Sequence, residues 1–442
     1  MKIVKVSFDP SIIIARFEYV IHFLNHHSYC IGKVFFQLDQ EAGGDLHYGI
    51  NPVKDGIFIP QQAYFFTEQY QFGKPLFVNS FEFENIIYYS IEEKSKALTK
   101  LVSGNQLNFD VFETIFFHLA RVEERMYPSE LLKDSGLMPE NELIVVKSGV
   151  QSQPIVDELL NALFAFLNIK INAPKLNKII THDIDLVVKY QNSANVLHSL
   201  GSTVKRSYSL RKIAKFGKDF VLSKLGLIEE PYFDLRLLST KDDIQKIIYL
   251  YVGGLHEFDF PRSEKRNKYI KKWATEAKAK GYKIGFHPSF EAATNSQLFA
   301  EELKTLEGLI EKKVTFSRQH YLHFNHKSTL KVLQANGIRH DSSFGFNRHI
   351  GFRTGTAYEY RLYDWENESV SDIIELPIAW MDSAIWHWST KNAEIFKKES
   401  TSFLSRLIEG DICINIHNNT IYDFGMYDID LLDLKSKFEE HG

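Results

Sequence analysis

The sequence predicts an α/β protein in which a smaller N-terminal α/β domain precedes a barrel-like parallel α/β domain with seven strands. Its 442 residues exceed what one hydrophobic core usually organises, so two domains are expected. Beyond residue 175 short apolar strands alternate with amphipathic helices, which is typical of a parallel sheet. Polar residues follow nearly all of these strands, as they do at the strand ends of α/β barrels. The turn-forming Asn172-Ala173-Pro174 therefore separates two predicted domains, residues 1–170 and 175–442.

The composition is that of a soluble globular protein, with 44% hydrophobic and 24% charged residues. A net charge of -4 gives no general attraction to nucleic acid, so no nucleic-acid partner is expected. Cys30 and Cys413 are the only cysteines, which excludes a disulfide framework or a cysteine zinc cluster. The N-terminus does not resemble a signal peptide, and no apolar run approaches the roughly 20 residues of a membrane span. These features predict a cytoplasmic location.

In the N-terminal domain, residues 2–8 alternate as a strand does, and an amphipathic helix follows. No group of residues in this domain points to a chemistry, so its role is left open. The predicted helices are Ser11–Leu24, Phe109–Met126 and Val156–Leu167, and the further strands are Lys33–Leu38, Gly56–Pro60 and Phe83–Ser90.

The C-terminal domain is predicted to contain seven strands with helices between several of them. Two of these helices, Asn267–Lys280 and Ser296–Lys312, carry apolar residues along one face. The predicted strands are Ile179–Thr181, Ile247–Val252, Lys283–Phe286, Val314–Ser317, Arg339–Ser342, Ile373–Trp380 and Ile412–Ile416.

The segment Val204–Lys224 interrupts this alternation with seven basic residues against a single acid, Asp219. Apolar residues are interleaved with the charges at helical spacing. One interpretation is a basic amphipathic helix that lies on a membrane or on a phosphorylated glycan carrier. The other is a solvated helical insertion after the first strand of the barrel.

The stretch T-H-D-I-D at residues 181–185 is the most informative part of the sequence. Asp183 and Asp185 are two residues apart, so both side chains can face the same side of an extended strand. One carboxylate can then hold a metal ion while the other accepts a proton. The alternative is a strand that ends in an Asp-rich turn.

The other predicted strands also end in polar residues, several of them histidines. Since the carboxyl ends of parallel strands converge on one face of a barrel, we expect these residues to form one site. The sequences at the six further strand ends are G-G-L-H (253–256), G-F-H-P-S (285–289), S-R-Q-H-Y (317–321), H-D-S-S (340–343), W-M-D (380–382) and I-H-N-N (416–419).

Five of these motifs, T-H-D-I-D, G-F-H-P-S, S-R-Q-H-Y, D-S-S and I-N-I-H, resemble in order the motifs of polysaccharide deacetylases. This family is also called the NodB-homology family or carbohydrate esterase family 4. The chain is similar, from about residue 100 onward, to a subfamily from bacterial envelope and surface-polysaccharide contexts. That subfamily has an extra N-terminal domain with a motif like F-H-L-A-R-V-E-E, here residues 117–124. The resemblance implies a distorted (β/α)7 barrel of the NodB type.

The resemblance also implies metal-assisted removal of N- or O-acetyl groups from a carbohydrate. Asp183 would be the base, and Arg318 would tether it. His417 would be the general acid, with Asp341 as the acidic residue that assists it. Asp185 and His287 would be ligands of a divalent metal ion, for which Zn²⁺ is the favoured candidate.

Two departures from the family's motifs concern the metal. Ile184 separates the two aspartates, which are adjacent in the usual T-F-D-D-G motif. The usual second motif has another histidine four residues after the first, where this chain has Glu291. His320, which replaces the usual proline of the third motif, could supply the third ligand instead, so His320 and Glu291 both remain candidates.

Aromatic residues near the predicted site are candidates for binding a sugar, because aromatic faces pack well against sugar rings. Trp380 and Trp386 follow the sixth strand, and Tyr321 ends the S-R-Q-H-Y motif. The alternative for the tryptophans is core packing under a loop.

The sequence thus favours a metal-dependent carbohydrate deacetylase of bacterial surface-polysaccharide metabolism. Its expected partner is a carbohydrate substrate, with peripheral membrane contact through residues 204–224 as a further hypothesis. Two alternatives remain open. One is a metal-free amidohydrolase on the same fold, and the other is a non-catalytic barrel that binds a glycan or a protein partner.

Overall fold

The computed structural model divides into two compact units, and neither is continuous in sequence. The first unit comprises residues 1–175 and 351–377, and the second comprises residues 176–350 and 378–442. The structure describes residues 1–39, 44–52, 56–62, 65–67, 76–83, 86–92, 94, 99–100, 102–132, 137–173, 175–189, 210–386, 393–425 and 430–441.

The strands and helices are numbered here along the whole chain. The strands are β1 Lys2–Phe8, β2 Val34–Leu38, β3 Leu46–Gly49, β4 Ile57–Pro60, β5 Phe77–Phe83, β6 Ile86–Glu92, β7 Thr99–Lys100, β8 Val102–Ser103, β9 Gln106–Leu107, β10 Leu176–Ile184, β11 Gln245–Tyr251, β12 Lys283–His287, β13 Phe316–Ser317, β14 His340–Asp341, β15 Tyr360–Asp364, β16 Ser369–Glu375, β17 Ile378–Met381 and β18 Gly410–Asn415. The helices are α1 Ile14–His26, α2 Val111–Leu119, α3 Val122–Met126, α4 Ile144–Lys147, α5 Ile155–Phe166, α6 Leu210–Lys224, α7 Glu264–Ala279, α8 Ser296–Ile310, α9 Thr329–Ala335, α10 Ala393–Leu404, α11 Asn418–Gly425 and α12 Leu431–Glu440.

The first unit contains a six-stranded sheet in the order β2-β1-β3-β4-β9-β8 and a three-stranded sheet in the order β6-β5-β7. The central pairings β2-β1-β3-β4 are parallel. Helix α1 buries an aromatic face that includes Phe17. The centre of the Phe17 ring lies 5.0 Å from that of Tyr48 and 5.1 Å from that of Phe112. This aromatic packing supplies much of the unit's core.

The predicted helix Phe109–Met126 is broken into α2 and α3. Arg121 has a φ of 54°, in the left-handed region that a helix cannot continue through. Its guanidinium donates to the backbone oxygen of Arg353 and to Glu124, and Arg353 Nε donates to Glu124 Oε1 at 2.9 Å. The break thus lies at a buried network of charged residues, which hydrophobic periodicity does not reveal.

The antiparallel pair β15 and β16 completes the first unit. Arg16 on α1 donates to both carboxylate oxygens of Glu368 at 2.9 and 3.0 Å, and Tyr19 donates to the backbone oxygen of Arg361 at 2.8 Å. Trp365 Nε1 donates to the backbone oxygen of Ala120 at 2.8 Å. A distant stretch of chain is therefore an integral part of this unit.

In the second unit seven parallel strands follow the order β14-β13-β12-β11-β10-β18-β17. The central strand β11 is buried at every position from Lys246 to Tyr251, as expected for a parallel strand covered on both faces. The N–H of Ile378 on β17, at one end of this series, donates at 2.9 Å to the backbone oxygen of Phe344, which follows β14 at the other end. The predicted α/β class with a barrel-like parallel sheet is confirmed.

The prediction that a single strand, the sixth of the domain, covers Ile373–Trp380 is wrong, because that stretch contains parts of the two strands β16 and β17. Pro377 lies between them and has no N–H to donate to a sheet, so it ends the ladder. The chain passes there from the first unit into the second.

The basic segment predicted over residues 204–224 is helical in α6, and residues 204–209 lie outside the described residues. Within the described ranges, no helix combines the length and the apolar character needed to cross a bilayer.

Candidate active site

A pocket of about 230 Å³ opens at the carboxyl ends of the second unit's strands. The residues that line it lie at the ends of several strands or in the loops that follow those strands. Its lining includes Asp183, Asp185, Leu186, Phe260, His287, Gln319, His320, Tyr321, Leu322, Asn347, Met381, Ser383, His417, Asn419 and Thr420. The convergence that the sequence predicts therefore brings Asp183, Asp185, His287, His320 and His417 together.

The alternation of side chains along β10 directs Asp183 toward this pocket and His182 away from it. Asp183 is buried and accepts from Arg318 Nη1 at 2.8 Å and from Asn415 Nδ2 at 2.9 Å. Burial alone would raise the pKa of Asp183, but the charges of Arg318, His287 and His417 together outweigh it, so the pKa lies below its usual value. Asp183 is therefore ionised near neutral pH.

Arg318 is fully buried, and its donors are distributed over several neighbours. Besides Asp183, Nη1 lies 2.9 Å from Thr181 Oγ1 and 2.6 Å from Asn415 Oδ1. Nε donates to the backbone oxygen of Ser342 at 2.9 Å, and the guanidinium lies 4.3 Å from the centre of the Tyr249 ring. This environment fixes the position and the charge of the group that holds Asp183.

Three side chains in the pocket form a group that could bind a metal ion. The donor atoms of Asp185, His287 and His320 all lie within 4.8 Å of one another. His287 Nε2 is 3.2 Å from Asp185 Oδ1, and His320 Nε2 is 3.9 Å from Asp185 Oδ2. Burial would raise the pKa of Asp185, but His287 and the other histidines lower it well below its usual range.

Each histidine of this group is oriented by a second contact on its other ring nitrogen. His287 Nδ1 lies 2.6 Å from the backbone oxygen of Arg318, and His320 Nδ1 lies 3.0 Å from Asp259 Oδ1. Such contacts favour the tautomer in which Nε2 carries no proton and is available to bind a metal ion. The rings are therefore arranged as metal-ligating histidines usually are.

The donor set fits a divalent cation. Asp185 Oδ1 is buried, and with His287 Nε2 unprotonated it has no hydrogen-bond donor among the described residues, which is costly unless a cation or water satisfies it. One carboxylate and two imidazoles with open positions suit a catalytic Zn²⁺. Glu291, the other candidate for third ligand, is exposed on a turn of 3₁₀ helix and lies outside this group.

His417 faces the pocket beside Asp183 and Asp185, and Asp382 contacts the ring nitrogen on its other side. Its Nε2 lies 3.7 Å from Asp183 Oδ2 and 3.8 Å from Asp185 Oδ2, while Nδ1 lies 2.6 Å from Asp382 Oδ1. Burial alone would lower the pKa of His417, but Asp382 and then the pocket aspartates raise it to about 10. Asp382 also accepts from the N–H of His417 at 2.9 Å, so both its oxygens position this residue.

The carboxylate beside His417 is thus Asp382, not Asp341 as the motifs imply. Asp341 is buried on β14 and accepts from Gln319 Nε2 at 3.2 Å. The strand order explains the difference, because β17 pairs with β18, whose end carries His417, while β14 is at the opposite end of the seven parallel strands.

The aromatic candidates for sugar binding have different positions. Tyr321 lines the pocket, is 46% exposed and has a φ of 57°, a strained backbone conformation of a kind found at functional sites. Trp380 is 2% exposed, and its Nε1 donates to Ser400 Oγ at 2.9 Å, so its assignment as a sugar platform is wrong and it belongs to the core. The side chain of Trp386 lies outside the described residues.

Three residues of this site had no role assigned from the sequence: Asp259, Asp382 and Asn415. Asn415 lies within the I-N-I-H motif, and Asp382 ends a strand, so both carried a recognisable signal. Asp259 lies in the loop after β11, where nothing in its sequence marks it.

Comparisons with known proteins were made with family models, curated sequences and solved structures. Residues 6–172 match the model of a family of unknown function, DUF7033. No curated protein sequence matches the chain.

Among solved structures, a protein from Mycobacterium smegmatis assigned as a polysaccharide deacetylase is similar at 13% identity and a TM-score of 0.34, over 61% of this chain and 88% of that one. A family 4 carbohydrate esterase from Streptomyces lividans is similar at 9% identity and a TM-score of 0.24, over 60% and 86% of the two chains. A 4-alpha-glucanotransferase from Thermococcus litoralis is similar at 11% identity and a TM-score of 0.30, over 60% and 38%. At these TM-scores the likeness decides nothing about activity, so function depends on the site itself.

Proposed function

We propose that the second unit is a metal-dependent deacetylase that hydrolyses N- or O-acetyl groups of a carbohydrate, on a distorted (β/α)7 barrel of the NodB type. One observation carries the proposal. A group of three donors, Asp185, His287 and His320, faces the same pocket as an arginine-held carboxylate and a carboxylate-held histidine. Metal-assisted hydrolysis of an acyl group needs these three components together.

Asp183 acts as the general base in this proposal. Its position between Arg318 and Asn415 keeps it ionised and fixed, so it can take the proton of the attacking water. Arg318 holds the base in place and is a positioning residue.

His417 acts as the general acid. Its Nδ1 is engaged by Asp382, and its Nε2 faces the pocket, where it can donate a proton to the departing amine or alcohol. Since Asp382 favours the protonated imidazole, His417 carries the proton that it is to donate at neutral pH.

Asp185, His287 and His320 would hold the divalent ion, with Zn²⁺ as the favoured candidate. When bound there, the ion would polarise the acyl carbonyl and lower the pKa of a water molecule. Asp259 and the backbone of Arg318 keep the two rings oriented for this binding.

The five ordered motifs support a carbohydrate as the substrate, since they resemble those of polysaccharide deacetylases, and they support a role in bacterial surface-polysaccharide metabolism. The exposed Tyr321 at the pocket offers an aromatic face for a sugar ring.

The test is acetate release from acetylated chito-oligosaccharides and acetylated xylan, measured on the full chain with and without added Zn²⁺. We expect turnover that a chelator abolishes, that Zn²⁺ restores, and that His287→Ala removes. A matched control, His441→Ala, changes a histidine that is not part of the pocket lining and that contacts the backbone oxygen of Leu407, so it should retain activity.

Two outcomes would contradict the proposal. Hydrolysis that a chelator leaves unchanged would favour the metal-free amidohydrolase. Glycan binding without acetate release at any metal concentration would favour a non-catalytic barrel.

A further inference from the structure

Helix α6 has apolar residues on two different sides. On one side, Phe216 is buried, and Ile213 and Phe220 are partly buried. This side holds the helix in place: Asp219 accepts from Tyr422 on α11 at 2.8 Å, and Lys189 Nζ lies 5.9 Å from the ring of Phe216. The inward side therefore accounts for one of the two apolar stripes.

The other stripe faces solvent. Leu210, Ala214, Gly217 and Val221 follow one another at the spacing of a single helix face, and all four are exposed. Leu210 is 83% exposed, and the apolar surface continues past the helix end, where Leu225 is 66% and Leu227 67% exposed.

This concentration of exposed apolar surface is unusual within the second unit. Among its described residues, nine large apolar or aromatic side chains are exposed, and five of them lie between residues 210 and 228. Single exposed apolar residues need no explanation, but a contiguous group marks an interaction surface.

Basic residues flank the outward stripe on both sides. At 100° per residue, Lys224 lies on one side of it, and Lys218 and Arg211 lie on the other. Residues 210–228 contain five basic residues and one acid, and that acid, Asp219, is engaged by Tyr422. The outward surface is therefore apolar at its centre and cationic at its rim.

We propose that α6 and residues 225–228 dock on the surface of an anionic lipid bilayer. An apolar stripe with cations on either side is the arrangement of helices that lie in the membrane interface, where the stripe enters the acyl boundary and the cations meet anionic headgroups. A second copy of the chain fits less well, because a two-fold interface would place one cationic rim against another.

The docking surface is connected to the pocket through one short helix. Tyr422, which contacts α6, lies on α11 together with Asn419 and Thr420, which line the pocket. Docking at α6 would therefore hold the pocket near the lipid surface. The proposal does not depend on the proposed activity.

The test is co-sedimentation of the full chain with vesicles of phosphatidylcholine alone and of phosphatidylcholine with phosphatidylglycerol. We expect binding to the anionic vesicles that added salt weakens, and little binding to the neutral ones. The double variant Lys218→Gln/Lys224→Gln should bind about 30-fold more weakly, from the contribution of two cations near an anionic surface. Val221→Ser/Leu225→Ser should bind about tenfold more weakly or worse, because less apolar area is buried.

Matched controls separate this surface from general effects. Ile408→Ser removes another exposed apolar side chain of the same unit, and Lys271→Gln/Lys304→Gln removes two exposed cations from α7 and α8. Both controls should bind as the unchanged chain does, and all variants should keep its thermal unfolding midpoint.

Three results would overturn the proposal. The first is no binding to anionic vesicles, and the second is equal weakening in the controls and the α6 variants. The third is self-association in ultracentrifugation that Val221→Ser/Leu225→Ser abolishes without any vesicle binding, which would assign the surface to a second copy.

Discussion

Asp183 and Asp185 are two residues apart on one strand, yet their neighbours give them different chemistry. Asp183 contacts the amide of Asn415 and the guanidinium of Arg318, whereas Asp185 faces the Nε2 atoms of His287 and His320. The first carboxylate accepts hydrogen bonds, and the second faces the Nε2 atoms of the other two proposed metal ligands. Their substitutions should therefore fail in different ways.

Asp183→Asn should lower turnover by about 10²–10⁴-fold, the loss typical of a missing general base, while metal binding is retained. Asp185→Asn replaces a charged oxygen ligand with a neutral one, so Zn²⁺ affinity should fall together with turnover. Isothermal titration with Zn²⁺ and acetate release measure the two effects. Equal loss of Zn²⁺ affinity in both variants would show that the two roles are assigned wrongly.

Asp382 is expected to matter for the leaving group. Asp382→Asn keeps the shape but removes the charge that favours protonated His417, so turnover of an acetamide should fall by up to about 10²–10⁴-fold. An aryl acetate, whose leaving group needs no proton, should be affected much less. The ratio of the two rates is the measurement.

Asp341→Asn is the matched control for this experiment, because Asp341 contacts Gln319 and not His417. It should leave the ratio unchanged. A shifted ratio in Asp341→Asn with an unshifted one in Asp382→Asn would restore the assignment that the motifs imply.

At this scale the sequence predicts which residues meet, but not every pairing. Polar residues after apolar strands predicted that Asp183, Asp185, His287 and His417 share one site. The sequence could not decide between Asp341 and Asp382 as the partner of His417. Each aspartate ends a strand, and only the order of strands in the sheet determines which one lies beside His417. Trp380 shows the same limit, since strand sequence alone does not say which face is the core.

At the scale of single elements, β10 has two faces with opposite requirements. Toward the pocket it presents ionised Asp183, and on the other face it buries His182, whose Nδ1 lies 3.1 Å from the backbone oxygen of Ile416. Burial, with a further contribution from Lys435, lowers the pKa of His182 to about 3. The strand therefore depends on a neutral histidine.

The stability of the second unit should consequently fall at mildly acidic pH. The pKa of His182 in the folded chain lies below its unfolded value near 6.5. Between these two values the unfolded chain therefore binds a proton at His182 that the folded chain does not bind. The contribution is complete above about pH 6.5 and is lost as the pH falls toward 3, amounting to about 2 kcal/mol at pH 5. Urea midpoints at pH 7 and 5 should drop less in His182→Gln than in the unchanged chain, and an equal drop would assign the effect to other groups.

Element boundaries were predicted only in part. The predicted start of α8 at Ser296 is confirmed, and Asn295 caps it by accepting the N–H of Leu298. Helix α7 begins at Glu264, three residues before the predicted Asn267, and Ser263 caps it by accepting the N–H of Arg266. The break at Arg121 was not predicted, because its cause is a contact with Arg353, more than two hundred residues along the chain.

At the scale of the whole molecule, the first unit depends on residues 351–377. Asp157 on α5 is buried and accepts from Thr356 Oγ1 at 2.6 Å and from the N–H of Ala357 at 2.7 Å. Without that segment, Asp157 would lose both of these donors and Glu124 would lose Arg353. Buried charges that lose their partners are strongly destabilising.

A chain that ends at residue 175 should therefore not unfold cooperatively, although it contains the whole match to the family of unknown function. Joining residues 351–377 to it through a Gly/Ser linker should restore a cooperative thermal transition. Calorimetry of both proteins checks this, and a sharp transition in the shorter chain would show that the segment is dispensable.

The sequence offered no sign of this division. Residues 351–377 lack a linker-like composition, and their strands resemble those of the barrel that precedes them. Membership of a unit is set by which surfaces fit together, and hydrophobic pattern does not encode that.

The discontinuous first unit also has a consequence for synthesis on the ribosome. Its last structural piece emerges 377 − 175 = 202 residues after its first piece is complete. At about 5–20 residues per second, that delay is about 10–40 s. During this interval the nascent chain carries a nearly complete aromatic core whose charged network lacks Arg353, while most of the second unit is being made. During this interval the incomplete first unit is exposed to proteases and to aggregation, so this is the stage at which we expect chaperones to bind the nascent chain.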